Sequence, residues 1–182
     1  MWLSKAQSSD LTFCSLTGVY SVMDKQPFSD LVSRHGSTVY RVCRALVGPV
    51  DAEDAWSETF VSALKAYPEL PPDANTEAWL VRIAQRKAID LGRARARRPV
   101  PTATIPDRSM NGAVDDHNDE LWTAVDALPL RQRQAVAFHH LAGRPYTEVA
   151  ELIGGTAEAA RRAASDGIAS LRKHFATQQR RG

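Results

Sequence analysis

Cysteine is scarce in this chain: Cys14 and Cys43 are the only two in 182 residues, too few and too far apart for a disulfide framework or a zinc site. Cys43 falls on an apolar helical stripe and is expected to be a buried thiol. No apolar run approaches the ~18 residues that a membrane span needs. Ahead of Met23 stand one lysine and scattered polar residues without a continuous apolar core, unlike a signal peptide. A cytoplasmic protein is the expectation. Residues 1–26 are read as an N-terminal extension, and 1–22 of it as either disordered or the product of a wrongly assigned start, because good periodicity begins only after Met23. No segment alternates convincingly at period two, which argues against sheet and for an all-α protein. A Gly-rich phosphate loop, a serine elbow and a cysteine–histidine nucleophile pattern are all missing, so no catalytic residue is assigned and an enzyme is not expected. His139 and His140 are adjacent and face different sides of a helix, whereas a metal pair prefers a four-residue step. Neither a cofactor nor a metal is implied.

What is present is an uneven charge. The net charge is only +2, yet Arg82, Arg86, Lys87, Arg93, Arg95, Arg97 and Arg98 lie between Leu80 and Pro99 against the single acid Asp90. Shortly before them, Asp51, Glu53, Asp54 and Glu58 form an acidic stretch with no base among them. A basic segment suits an anionic partner, and an acidic one a basic protein surface.

Helical periodicity organises the chain. Phe28, Leu31, Val32, His35, Val39, Val42, Cys43 and Leu46 recur at three- and four-residue steps, and Gly48-Pro49 stops that helix. Asp51 is expected to cap a second helix, with Trp56, Phe60, Ala63, Leu64 and Tyr67 on its core face. After the Pro-rich turn 67–73, a third helix is expected from about Thr76 to about Ala96. Residues 99–118 have no periodicity and read as a flexible linker between two small domains, 27–98 and 119–177, followed by a basic tail, 178–182. In the second domain one helix is marked by Leu121, Val125 and Leu128, Pro129 opens the next, and Gly143 ends it. A short helix from Tyr146 to Ile153, the turn Gly154-Gly155, and a last helix capped by Thr156 make a helix-turn-helix pattern.

On the third helix Arg82, Arg86, Arg93 and Arg97 are spaced to line one face, a stripe able to track phosphates. Trp79 suits a ring for stacking an unpaired base and a core position equally well. Asp54 and Glu58 stand four apart and face the same way. They fit a docking surface for a basic helix, a carboxylate metal cluster, or plain solubility with favourable charge at a helix N-terminus. No further ligand at a metal-like step supports the cluster.

These pieces, in this order, resemble the extracytoplasmic-function branch of bacterial RNA polymerase sigma factors. Asp51-Ala52-Glu53-Asp54 with Glu58-Thr59-Phe60, and Ala78-Trp79-Leu80-Val81-Arg82-Ile83-Ala84 with Ala88-Ile89-Asp90, look like the family's region two. Leu128-Pro129-Leu130-Arg131-Gln132-Arg133-Gln134 and Tyr146-Thr147-Glu148-Val149-Ala150-Glu151-Leu152-Ile153-Gly154 look like region four. The resemblance implies that Asp51, Glu53, Asp54 and Glu58 dock on core RNA polymerase. It implies that Trp79, Arg82, Arg86, Arg93 and Arg97 meet the −10 element of promoter DNA, and that Thr156, Glu158, Arg161 and Arg162 meet the −35 element. An anti-sigma protein is a further implied partner. The chain departs from the family pattern at Arg86, where asparagine is frequent, and at Pro145, which replaces a serine cap. Ala163 and Asp166 fall where arginine is common, and Gly167 weakens a helix interior. The −35 contact is therefore expected to be weak or unusual in sequence preference. The rival readings are a sigma-like helix-turn-helix regulator that does not start transcription and, further off, a carboxylate-based nuclease.

Overall fold

The computed structural model describes residues 26–97 and 119–180, without the side chains of residues 96 and 97. Among the described residues every regular element is helical. The extension 1–25, the linker 98–118 and the last two residues of the tail lie outside them.

The first module is a three-helix bundle of α1 (Phe28–Val47), α2 (Ala52–Ala66) and α3 (Thr76–Arg97), with a short 3₁₀ turn at Tyr67–Glu69. Its core takes Leu31, Val39 and Cys43 from α1, Ala55, Phe60 and Ala63 from α2, and Leu80 and Ala84 from α3, as the three- and four-residue steps require. Burial pushes the Cys43 thiol up to about 12, so this sulfur is an apolar filler and not a nucleophile. Phe28 packs edge-on against both Phe60 and Tyr67, and Trp56 donates its indole N–H to the Gly36 carbonyl at 3.0 Å. The buried Thr59 hydroxyl donates back to the Ala55 carbonyl at 2.6 Å. Asn75 caps α3 by accepting from the Ala78 amide at 3.0 Å.

Two sequence expectations need correction here. Asp51 occupies the N-cap position of α2 but makes no capping bond; its carboxylate instead turns to Arg95 at 2.8 Å. A full guanidinium charge outcompetes a backbone amide for that oxygen. Leu64 is 55% exposed and does not belong to the core face, because Ala63 already fills the space against α1 and α3.

The second module contains α4 (Asp119–Asp126), α5 (Leu130–Val136), α6 (Tyr146–Ile153) and α7 (Ala157–Gln178). A π-helical turn, Ala137–Leu141, continues α5. Gly154 and Gly155 have φ of 79° and 99°, a left-handed turn that glycine enters without steric cost, and they reverse the chain between α6 and α7. Thr156 caps α7 as its position predicts, its hydroxyl accepting from the Ala159 amide at 3.1 Å.

Gly167 proves to be a packing residue. A Cβ there would lie 2.7 Å from Val136 Cγ2 and 3.4 Å from the Gln132 carbonyl, so the missing side chain is what lets α5 and α7 approach. Gly167→Ala gains ~1 kcal/mol of helix propensity but forces two packed backbones apart. We expect a net loss of about 1–2 kcal/mol, read as a lower thermal midpoint. An unchanged or raised midpoint would show that the two helices have room to spare.

Periodicity gives no hint that the modules lie against each other. Val42 of α1 and Val81 of α3 are fully buried in one apolar cluster with Ala135, Phe138 and Val149 of the second module. Ala45 of α1 joins a second shared cluster with Val125, Leu128 and Leu171.

Candidate functional site

The outer face of α2 carries Asp54, Glu58, Val61 and Leu64, all exposed. Their positions fall at three- and four-residue steps, so carboxylates at the N-terminal end run into an apolar ridge. Asp54 has no ion-pair partner among the described residues, and neither does the half-buried Glu53. The other two acids are turned towards α3, Glu58 to Lys87 at 3.1 Å and Asp51 to Arg95 at 2.8 Å. Of the sequence-derived docking set, Asp54 faces outward unpaired, Glu58 remains reachable through an exposed pair, and Asp51 is held by its own bundle.

The basic stripe of α3 is also more differentiated than its spacing indicates. Arg86 is exposed and without an ion pair among the described residues. Arg93 lies 4.0 Å from Asp90, a loose surface pair. The Arg97 side chain lies outside the described residues. Arg82 does not face solvent alone: it meets Glu151 of α6 at 3.0 Å. One turn further on, Gln85 donates to the Leu152 carbonyl. Trp79 satisfies both of its readings, packing against the first module's core while its ring edges a cleft of about 410 Å³. Asn75, Arg82, Arg144 and Glu148 also line that cleft, so it opens between α3 and the start of α6.

On the helix-turn-helix, Arg161 pairs with Glu158 at 2.7 Å and lies 5.2 Å from the centre of the Tyr146 ring. Glu158 therefore orients Arg161, and Arg162 is left exposed beside it. Tyr146 stacks on His139 at 3.9 Å between ring centres, and the His139 Nδ1–H donates to the Arg144 carbonyl at 2.8 Å. A carbonyl can only accept, which fixes the proton on that nitrogen. Pro145 stands at the N-cap position of α6 without a side-chain capping bond, and the next residue, Tyr146, is held by contacts of its ring with His139 and Arg161. Burial holds His140 below the usual histidine range, and neighbouring His139 adds to the effect.

Two arginines that sequence reasoning passed over occupy the seam between the modules. Arg44, 8% exposed, reaches from α1 to Asp126 of α4 at 3.0 Å and lies 5.0 Å from the Trp122 ring centre. Arg133 approaches the same carboxylate at 3.7 Å. Arg144, also 8% exposed, reaches the other way to Glu77 of α3 at 3.4 Å and to Glu148 at 3.6 Å. Next to Glu77, Thr76 shares a 3.3 Å hydrogen bond with His35 Nε2. Burial lowers the His35 pKa, opposed by the Glu77 charge. Only one signal in the sequence pointed here: Arg44 sits on the flank of an otherwise apolar stripe. No group of three or more His, Cys, Asp or Glu able to hold a metal occurs among the described residues. No helix of the described residues is long and apolar enough to cross a membrane.

A helical bundle with an acidic outer face, a basic third helix and a separate helix-turn-helix define a two-module transcription factor of the sigma-70 type. Residues 31–98 match the family model for Sigma-70 region 2, and residues 118–171 match that for Sigma-70, region 4. The ECF RNA polymerase sigma factor SigM of Mycobacterium tuberculosis is 30% identical over 139 residues, covering 72% of this chain and 68% of that protein. The RNA polymerase sigma-E factor of Streptomyces avermitilis is 26% identical over 151 residues, 81% of this chain and 84% of its own. Among solved structures, the sigma factor RpoE in complex with the anti-sigma factor NepR from Bartonella quintana shares the fold at a TM-score of 0.64. That likeness has 18% identity over 81% of this chain and 96% of that one. The chain belongs to the extracytoplasmic-function RNA polymerase sigma factors and is an alternative sigma factor acting in transcription initiation.

Proposed function

We propose that this chain binds core RNA polymerase through the outer face of α2, chiefly Asp54 and Glu58 flanked by Val61 and Leu64. The unpaired, exposed Asp54 beside an exposed apolar ridge carries this reading, since a self-contained bundle has no internal use for such a face. The α3 face with Trp79, Arg82, Arg86 and Arg93 then holds the opened −10 element, and Arg97 extends it. Extruding a base from the duplex costs a few kcal/mol, which stacking on an aromatic ring offsets. The second module sets the N-terminal turns of α7 in the major groove of the −35 element, with Arg161 and Arg162 as the groups that reach DNA. Thr156 and Glu158 support them, by capping the helix and by orienting Arg161. The chain supplies recognition and no covalent chemistry; RNA synthesis belongs to the polymerase. It works in the cytoplasm, under the control of an anti-sigma protein.

A stand-alone regulator would need α7 but not the α2 face, and a nuclease would need a cluster of metal-holding carboxylates, which does not occur among the described residues. Co-elution with core polymerase on size exclusion tests the proposal, and failure to co-elute would leave only the regulator. Arg86→Ala is expected to weaken promoter-complex formation and reduce the salt slope by about 0.7–0.9. An unaltered slope would remove Arg86 from the phosphate contacts.

A further inference from the structure

We propose that Tyr146 and His139 form a pedestal that aligns the Arg161 guanidinium to read a guanine edge in the −35 element, while Arg162 beside it takes phosphate alone. This deepens the proposed role of α7 and rests on it. The two arginines are consecutive and both exposed, yet their surroundings differ. Arg161 lies over the Tyr146 ring, 5.2 Å from its centre, and donates through Nη1 to Glu158 at 2.7 Å. The Arg162 side chain makes no ion pair, hydrogen bond or ring contact among the described residues.

Each layer beneath Arg161 is itself fixed. The Tyr146 ring stacks on the His139 ring, 3.9 Å between centres and 22° from parallel. His139 Nδ1–H donates to the Arg144 carbonyl at 2.8 Å. Arg144 is held in turn, its amide donating to the Phe138 carbonyl and its Nε to the Ala142 carbonyl, both at 2.9 Å. Phe138 is fully buried, so the column ends in the core. Pro145 restricts the backbone just ahead of Tyr146. All of these residues belong to the second module.

An arginine side chain has many rotamers to lose on binding. The negative face of a tyrosine ring and a carboxylate together restrict that freedom beforehand. With Nη1 on Glu158, the Nε and Nη2 donors have no partner among the described residues. That edge presents two parallel N–H groups, the pair that matches guanine N7 and O6. The Arg161 side chain is 59% exposed, so the edge is reachable. A phosphate contact fixes position without reading sequence and needs no such alignment, which suits the unsupported Arg162.

The test uses core RNA polymerase loaded with the full chain to select from a randomised duplex library. Tyr146→Leu, Tyr146→Phe, Glu158→Gln and Arg162→Ala are run beside the parent. The parent should enrich guanine at one −35 position. Tyr146→Leu should lower that preference by about tenfold and leave other positions unchanged, whereas Tyr146→Phe, which keeps the ring, should retain it. Glu158→Gln alters an exposed side chain without touching the core, and should cut the same preference by about threefold. Replacing the selected guanine by 7-deazaguanine, which lacks the N7 acceptor, should weaken binding by the parent about tenfold and by Tyr146→Leu less than about twofold. Arg162→Ala should keep the motif and reduce the salt slope by about 0.9. Unchanged guanine preference in Tyr146→Leu or Glu158→Gln would overturn the proposal. So would a loss spread evenly over all positions, or equal sensitivity of parent and Tyr146→Leu to 7-deazaguanine. A motif indifferent to Tyr146 sinks the pedestal alone, whereas a selection with no −35 motif removes the role of α7 as well; co-elution reads polymerase binding separately.

Discussion

Asp54→Arg is expected to weaken binding to core RNA polymerase by about 100-fold, because it places a positive charge where the proposed docking sets a basic surface. Truncating one partner of a desolvated interfacial charge pair costs ~2–5 kcal/mol, and each ~1.4 kcal/mol is tenfold in affinity. Asp54 is the appropriate residue because it is exposed and makes no ion pair among the described residues, so its loss breaks nothing within the fold. The only internal penalty is a favourable charge in the first turn of α2, worth ~0.3–1 kcal/mol. The melting midpoint should stay nearly constant, and polymerase affinity, measured by fluorescence anisotropy of labelled protein, should collapse. Glu120→Arg is the control: it reverses an exposed acid at the start of α4, away from α2, and should change affinity less than about twofold. Equal losses from both variants would point to a general charge effect and remove α2 as the docking face.

The second large effect is on stability. Phe138 is fully buried and is the largest completely enclosed side chain among the described residues. It lies in the π-helical turn after α5, in the cluster that joins Val149 of α6, Ala160 and Ala164 of α7, and Val42 and Val81 of the first module. Phe138→Ala should cost about 3–5 kcal/mol, the transfer term plus the cavity left behind. A module of some sixty residues has little reserve, so the helix-turn-helix is expected to unfold at least ~10 °C earlier. Hydrogen exchange should show amides of α6 and α7 losing protection while those of the α1–α2 packing keep theirs. A midpoint within about 3 °C of the parent would mean that this cluster is not the module's core.

Much of this was legible in the sequence because it is local. Helical steps of three and four, with turn and cap residues, locate the α-helices among the described residues, and Thr156 before a run of helix formers marks the start of α7. The β-period was missing from the sequence, and no strand occurs among the described residues. The errors share one cause. Asp51 was read as a cap because its neighbours make a helix start, yet Arg95, 44 positions away, takes its carboxylate. Gly167 looked like a weak point within α7, yet the side chain that needs its vacancy belongs to Val136 on another helix. Leu64 fits an apolar step, but Ala63 is the residue that α1 and α3 enclose.

The same reasoning explains why the seam was invisible. Arg82 and Glu151 are 69 positions apart, and Arg44 and Asp126 are 82 apart. A single sequence carries no periodic signal for such pairs. The spacing of Arg82, Arg86 and Arg93 along α3 is legible in the sequence, but not the fact that α6 lies against the first turns of that helix. The acidic stretch of α2 is likewise legible, while the exposure of Val61 and Leu64 beside it is not. An apolar residue one step off the buried stripe looks the same in sequence whether it meets a neighbour or solvent.

The most direct measurement is transcription in vitro from sheared genomic DNA by core polymerase with and without this chain, followed by mapping of RNA 5′ ends. A discrete set of new start sites should arise only when the chain is present, with shared motifs near −10 and −35. Those starts should vanish with Asp54→Arg while random initiation by the core persists. If the mapped ends were identical with and without the chain, it would not direct initiation, and only its ability to bind DNA would be left to explain.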